Sequence, residues 1–191
     1  GKMNRNKVEF GLKNVLVAVG TEGEGGVVTY AAPVAIPGAV TLKVDEKSDM
    51  YQFFADDRVY YSEAQSEGAE GTLEMALFPD TFKTDVLGFI RDADGGLAEK
   101  LNPTTKPFAL IFECDGDANK ARHVYFNCKA GKISDEYKTA EGKKNVKTQV
   151  LPITVMGDAN GYIKVRYNQD EAGYDKVLTA VPTITPAPVV P

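Results

Sequence analysis

The most informative part of the sequence for the fold is Pro107–Cys128, which reads PFALIFECDGDANKARHVYFNC. One mostly apolar run lies on each side of the polar turn Asp115–Lys120, and this pattern predicts an antiparallel hairpin. A symmetric register places Glu113 opposite Arg122 as a cross-strand ion pair. Because both faces of the hairpin are largely apolar, we expect the core on one side and a second covering layer on the other.

Most of the remaining chain is typical of short strands separated by Gly, Asn, Asp and Pro turns. Strands are predicted at 15–19, 27–30, 40–44 and 73–77, and a last hairpin at 146–156 and 162–167. Within that hairpin Pro152 requires an edge position or a bulge. The best helical pattern is 79–90, with Asp80 or Thr81 as its N-cap and Gly88 near its end.

These patterns predict a mostly β protein, a β-sandwich with one short flanking α-helix and a long inter-strand loop. With 191 residues and 43% hydrophobic residues, the chain is large enough for one domain with its own core. We expect an N-terminal arm at 1–11, the β-sandwich domain at 12–178 and a Pro-rich C-terminal tail at 179–191, extended or mobile.

The connection between the strands at 40–44 and 73–77 is unusually long. Asp45–Gly71 carries seven large apolar residues among its acids, too many for a disordered linker. Two alternatives stay open: a partner-binding flap, or two further strands.

Charge is unevenly distributed along the chain. Asp56–Asp80 holds seven carboxylates against Arg58 alone, whereas Lys129–Lys147 holds six lysines against three acids. Either both are solvated loop faces, or they meet within or between subunits. The net charge of −5 argues against nucleic-acid binding as the main activity.

Catalytic and metal-binding interpretations find little support. The predicted register puts Cys128 on the opposite face from Cys114 and His123, which argues against a zinc site. It also separates the two cysteines by about seven rungs, too far for a disulfide. A Cys114–His123 dyad is geometrically conceivable, but it lies on an apolar face. We therefore expect a non-enzymatic protein with no catalytic residues, metal or cofactor.

The sequence predicts neither a membrane-spanning helix nor a secretory signal. The longest uncharged run, Gly25–Leu42, is interrupted by prolines and glycines, so no membrane-spanning helix is expected. Since no apolar segment follows the basic residues near the N-terminus, we expect a cytoplasmic origin.

Several stretches resemble the major tail proteins, or tail tube proteins, of long, non-contractile tailed bacteriophages. The resemblance covers about residues 6–167. It is carried by NKVEFGLKNV at 6–15, PVAIPGAV at 33–40, FADD at 54–57, GAEGTLEMAL at 68–77, FKTDVLG at 82–88, KPFAL at 106–110 and RHV at 122–124.

The resemblance implies a structural virion protein that self-assembles, in the host bacterial cytoplasm, into stacked hexameric rings. These rings form the tail tube, the conduit through which DNA reaches the host cell without specific binding. Expected partners are further copies of the chain and tape-measure, tail-terminator and distal tail proteins. An adhesion or carbohydrate-binding β-sandwich is the alternative, although the chain has no Trp to stack on a sugar.

On this interpretation the long connection is the ring-stacking loop and the N-terminal arm reaches a neighbour. The stacking residues are Met50, Tyr51, Phe53, Phe54, Asp56, Asp57, Arg58, Tyr60 and Tyr61. A basic contact is predicted at Lys143, Lys144 and Lys147.

Overall fold

The computed structural model describes residues 4–38, 40–55, 58–140 and 144–189. The chain is mostly β, as predicted, with two short α-helices and a single 3₁₀ turn (Glu24–Gly26) in these ranges. The strands are β1 (Asn4–Glu22), β2 (Val28–Tyr30), β3 (Val34–Ala35), β4 (Val40–Ala55), β5 (Arg58–Met75), β6 (Ile90–Arg91), β7 (Leu97–Ala98), β8 (Phe108–Cys114), β9 (Arg122–Ala130), β10 (Ser134–Ala140), β11 (Lys144–Val155) and β12 (Lys164–Tyr167). The helices are α1 (Asp80–Asp85) and α2 (Gly173–Lys176).

Six antiparallel strands form a closed barrel. The order is β11-β5-β4-β1-β8-β9, and β9 pairs back to β11 at Cys128 with Val155 and Ala130 with Ile153. β12 and β10 lie outside this ring, paired with β9 and β11 respectively. Closure removes free edges from the six central strands along their shared length.

The main core fills the barrel, because alternate residues of each strand point inward. Leu42, Leu110 and Leu151 are fully buried there. Helix α1 covers the end of the barrel next to Phe108, whose ring packs edge-on against Phe82 at 5.6 Å between centroids. This position agrees with the one short flanking helix that the sequence predicted.

The outer face of the hairpin formed by β8 and β9 is covered as well. Ala109, Ile111, Val124 and Phe126 form a second buried cluster. It is completed by Val177 beside α2 and by partly buried residues of β2, β12 and the segment up to Ile184. The predicted covering on both sides is confirmed, and the first part of the Pro-rich tail lies against the sheet.

The predicted hairpin register holds at the turn but shifts at the open end. Glu113 lies opposite Arg122 as expected, whereas a bulge at Asn127, with φ of 50°, places Phe108 opposite Cys128. The extra residue moves Cys128 to the barrel interior, the face that also carries Cys114. The prediction that the two cysteines lie on opposite faces is therefore wrong.

The predicted last hairpin is also wrong. β12 pairs with β9 along Arg122–Tyr125, and β11 pairs with β9 along Cys128–Ala130, so the two strands share one edge of β9. Pro152 lies in β11 just past the end of β10 pairing at Val150. The Pro152 carbonyl accepts a hydrogen bond from Gly131 N–H at 2.7 Å. The proline nitrogen, which has no N–H, therefore lies on the same edge of β11, in the gap between the pairing with β10 and the pairing with β9.

The predicted helix is shorter than its pattern. α1 spans six residues, Pro79 occupies the N-cap position, and no side chain caps the helix, so the Asp80 or Thr81 cap was wrong. Gly88 follows with φ of 75°, the left-handed conformation typical of a helix stop. A Cβ at Gly88 would overlap the carbonyl oxygen of Thr104, so this close approach of two backbone segments requires glycine.

The long connection consists of two further strands. β4 and β5 pair continuously from Val40 with Met75 out to Ala55 with Arg58, with bulges near Ser48 and Met50. The N-terminal arm is also a strand, since Asn4–Leu12 pairs with β4. None of the helices in the described ranges is long and apolar enough to cross a membrane.

Candidate interaction site

Two ribbons extend beyond the barrel. In the first, the paired strands at 49–55 and 58–65 continue past the last partner of β4 at Ser48 and the last partner of β5 at Ala69. We call residues 49–67 the acidic ribbon, because five carboxylates stand there against Arg58. Seven residues of strand reach about 23 Å at about 3.3 Å per residue.

The second ribbon is formed by β10 and β11. β10 and β11 stay paired out to Ala140 with Lys144. This pairing extends beyond the point where Gln149 of β11 pairs with Met75, the last residue of β5. We call residues 136–148 the basic ribbon, because it holds four lysines against two glutamates.

The two ribbons leave the barrel in opposite directions. β11 runs antiparallel to β5, with Val155 beside Ala69 and Gln149 beside Met75. The acidic ribbon therefore extends beyond the Ala69 end of β5 and the basic ribbon beyond its Met75 end. The strand path between their tips is roughly 70 Å at about 3.3 Å per residue.

The structure brings most of the predicted stacking residues into the acidic ribbon. Met50, Tyr51, Phe53 and Phe54 lie in β4, and Arg58, Tyr60 and Tyr61 lie in β5. In the register Phe53 is opposite Tyr60. Asp56 and Asp57 lie outside the described residues.

The predicted basic contact lies in the basic ribbon. Lys144 begins β11 and Lys147 follows in the same strand, while Lys143 lies outside the described residues. The ammonium of Lys147 is 3.7 Å from the Asp135 carboxylate. The Gln149 side-chain amide donates to Asp135 at 3.0 Å and, with Lys147, lowers the pKa of that carboxyl.

Within one chain, the acidic segment 56–80 contacts β11 just past the basic segment 129–147, where β5 and β11 are adjacent. The Thr148 hydroxyl donates to the Glu74 carboxylate at 3.2 Å. Two other lysines of the basic segment pair elsewhere, Lys129 with Glu22 at 2.7 Å and Lys132 with Glu99 at 3.8 Å.

A cavity of about 480 Å³ opens on the barrel at the end from which the acidic ribbon leaves. It lies between β1, β8, β9 and β12, and its lining residues are Phe10, Phe112, Cys114, His123, Tyr125, Lys164, Val165 and Arg166. The ring of Phe112 stacks between those of His123 and Tyr125, at 5.2 and 5.7 Å between centroids. Since Lys164 pairs with Tyr125 and Arg166 with His123 in the register, two cations of β12 border these rings.

The electrostatics of this cavity do not favour a Cys114–His123 nucleophile. Burial, and then the nearby Asp117 carboxylate, raise the pKa of the Cys114 thiol, which keeps it protonated. Burial, and then the positive charge of Arg166, lower the pKa of His123 and keep the imidazole neutral. Within the described ranges, no group of three or more His, Cys, Asp or Glu residues is placed to hold a metal ion.

Sequence reasoning missed the contact that holds the C-terminal segment. Arg122 lies over the ring of Tyr174 at 3.8 Å from its centroid and donates to the Tyr174 carbonyl at 2.7 Å. The Tyr174 hydroxyl donates to the Lys120 carbonyl at 2.8 Å. Arg122 and Tyr174 are 52 residues apart and belong to no shared pattern, so no sequence signal predicts this pair.

Comparison with known proteins gives structural likeness only. No protein-family profile and no curated protein matches the chain. Among solved structures, a chain of the PVC sheath-tube complex of an extracellular contractile injection system aligns with a TM-score of 0.43 and 14% identity, over 81% of this chain and 88% of that one.

Two further solved structures align at a comparable level. The sheath/tube terminator of the same system gives a TM-score of 0.45 and 15% identity, over 81% and 93% of the two chains. The tube terminating cap of the anti-feeding prophage gives 0.40 and 10%, over 81% and 88%. At these values the likeness does not establish a shared function.

Proposed function

We propose that this chain is a structural subunit of a phage tail tube, which assembles by stacking copies of itself head to tail. The observation that carries the proposal is the pair of oppositely charged ribbons at opposite ends of one barrel. A surface at one end that complements a surface at the other end makes a heterologous contact, which repeats without limit along an axis. Self-association of this kind is what a tube requires.

The acidic ribbon has the properties of an interface segment. An isolated two-stranded ribbon is marginally stable in water, and this one has no third strand among the described residues. Its sequence is rich in Tyr and Phe, residues that are enriched in protein interfaces. A neighbouring subunit that covers the ribbon accounts for both features.

Ring formation and DNA passage complete the proposal, and both rest on the resemblance to tail tube proteins. Rings of six subunits bury the outer edges of β10 and β12 by inter-subunit pairing. Six subunits at −5 each give a ring charge of −30. Such a charge repels DNA phosphates and keeps DNA from adhering during passage.

Deletion of residues 49–67 tests the role of the acidic ribbon. Since these residues pair with one another beyond the barrel, we expect a folded subunit by circular dichroism that forms no tubes in electron micrographs. Normal tubes from the deleted chain would overturn the proposal.

A subtler variant keeps the ribbon backbone. Phe53→Ser with Tyr60→Ser changes two residues that face each other in the register and should abolish tubes while the barrel stays folded. Leu101→Ser is the matched control, because this side chain is 84% exposed and lies outside both ribbons. Equal loss of tubes in the control would show that the effect is not specific to the ribbon.

Charge reversal at Lys143 and Lys144 tests the basic contact. The variant should sediment as small species at low salt, where charge attraction extends about 10 Å at 0.1 M and further below it. Assembly equal to that of the unmodified chain at both low and high salt would count against this contact.

A further inference from the structure

The cavity described above has no role in the ribbon contacts, yet its chemistry is that of an anion-binding surface. Stacked rings present positively polarised edges, and the exposed Arg166 stands at the border of those rings. Among the described residues Arg166 has no carboxylate partner. A volume of about 480 Å³ is within the range of peptide- and ligand-binding pockets.

The opposite end of the barrel presents a segment of complementary chemistry. β1 carries Phe10 towards one end and finishes at Glu22 at the other, where the turn Glu22–Val27 reads EGEGGV. The turn contains the Glu22 carboxylate, which pairs with Lys129 of its own chain at 2.7 Å, and the Glu24 carboxylate. Val27 is 52% exposed. A Cβ placed on Gly25 or Gly26 would meet nothing within 4 Å, so this narrow turn stands clear of its own chain.

We propose that the cavity binds the acidic turn Glu22–Val27 of a second copy stacked head to tail. This inference rests on the proposed function and names a second contact of the same stack. The Glu24 carboxylate of one copy meets the Arg166 guanidinium of the next, a charge-assisted hydrogen bond with planar geometry. Val27 packs on the aromatic lining beside Phe10.

The direction of this contact agrees with that of the ribbons. One end of the barrel carries the acidic ribbon and the basic cavity, and the other end carries the basic ribbon and the acidic turn. A single head-to-tail stack therefore brings both complementary pairs together. Reversing one copy would bring like charges together at both contacts, so the arrangement also fixes the polarity of the tube.

A charge swap in the full-length chain tests the contact. Arg166→Glu and Glu24→Lys should each raise the concentration needed for tube formation about tenfold, because each leaves two like charges facing across the interface. The double variant should restore tubes at a concentration near that of the unmodified chain. Pelleting and negative-stain electron microscopy measure assembly, and circular dichroism confirms folding.

Lys176→Glu is the matched control, since Lys176 is exposed on α2 and makes the same change of charge away from the cavity. It should assemble normally. Tubes from Arg166→Glu at the ordinary concentration would overturn the inference. So would rescue of Arg166→Glu by Asp92→Lys instead of Glu24→Lys, which would assign another acidic turn to the cavity.

The two proposals fail in different ways. If the unmodified chain forms no tubes, the proposed function fails. If it forms tubes and the single charge variants assemble equally well, only the cavity contact fails.

Discussion

Arg122→Ala should destabilise the subunit by about 3 kcal/mol, through the contacts that hold α2 to the hairpin. The guanidinium donates to the Tyr174 carbonyl at 2.7 Å, and hydrogen bonds of charged groups contribute about 1.5–3 kcal/mol. Its position 3.8 Å from the Tyr174 ring adds about 0.5–2 kcal/mol.

The acidic partners of Arg122 contribute unequally. Glu113 is buried, and its carboxylate is 3.9 Å from Arg122 Nε. The variant removes this ion pair and leaves the carboxylate with the hydrogen bond that the Asn14 side-chain amide donates at 2.8 Å. The Asp175 side chain is 91% exposed, and an exposed pair of this kind contributes little. The expected loss of stability therefore comes from the contacts of Arg122 with Tyr174 and from the removal of the positive charge beside Glu113.

Thermal unfolding followed by circular dichroism measures the effect. For a chain of this length, a loss of about 3 kcal/mol lowers the Tm by about 6–12 °C. Arg91→Ala is the matched control, because its pair with Asp80 is half exposed on both sides and should shift the Tm by at most about 4 °C. A shift for Arg122→Ala as small as that of the control would show that the contacts of Arg122 with Tyr174 and Glu113 contribute little to stability.

Two further predictions concern the barrel interior. Gly71→Ala should lower the free energy of unfolding by about 2–4 kcal/mol, because the added Cβ would overlap the Lys43 carbonyl oxygen. Gly96→Ala is the control, since the nearest atom to its added Cβ lies at 3.8 Å, and it should be nearly neutral. Urea unfolding measures both variants. Burial raises the pKa of the Cys128 thiol to about 12. We therefore expect this thiol to resist a disulfide reagent at pH 8 in the folded chain and to react once the chain is unfolded. Fast labelling of Cys128 in the native chain would contradict its buried position.

The hairpin at 107–128 could be predicted from sequence because both of its determinants are local. The two apolar runs indicate the strands, and the polar turn between them sets the Glu113–Arg122 register. The bulge at Asn127 could not be predicted, since an extra residue leaves the apolar pattern almost unchanged. The bulge lies where the partner of β9 changes from β12 to β11, and that change is a long-range property of the fold.

Misassignment of β12 had a consequence for the site. A strand predicted to pair with β11 carries no implication for the hairpin, whereas its pairing with β9 places Arg166 beside His123. The cavity was therefore hidden from sequence reasoning. The acidic ribbon was found because its composition is unusual, but composition alone could not separate a flap from two paired strands.

Negative-stain electron microscopy of the concentrated chain shows whether its copies stack into a tube. We expect rings of six subunits and tubes built from them, and we expect the tubes to be lost when residues 49–67 are removed. Compact single particles at every concentration, with an unchanged sedimentation coefficient, would contradict this expectation.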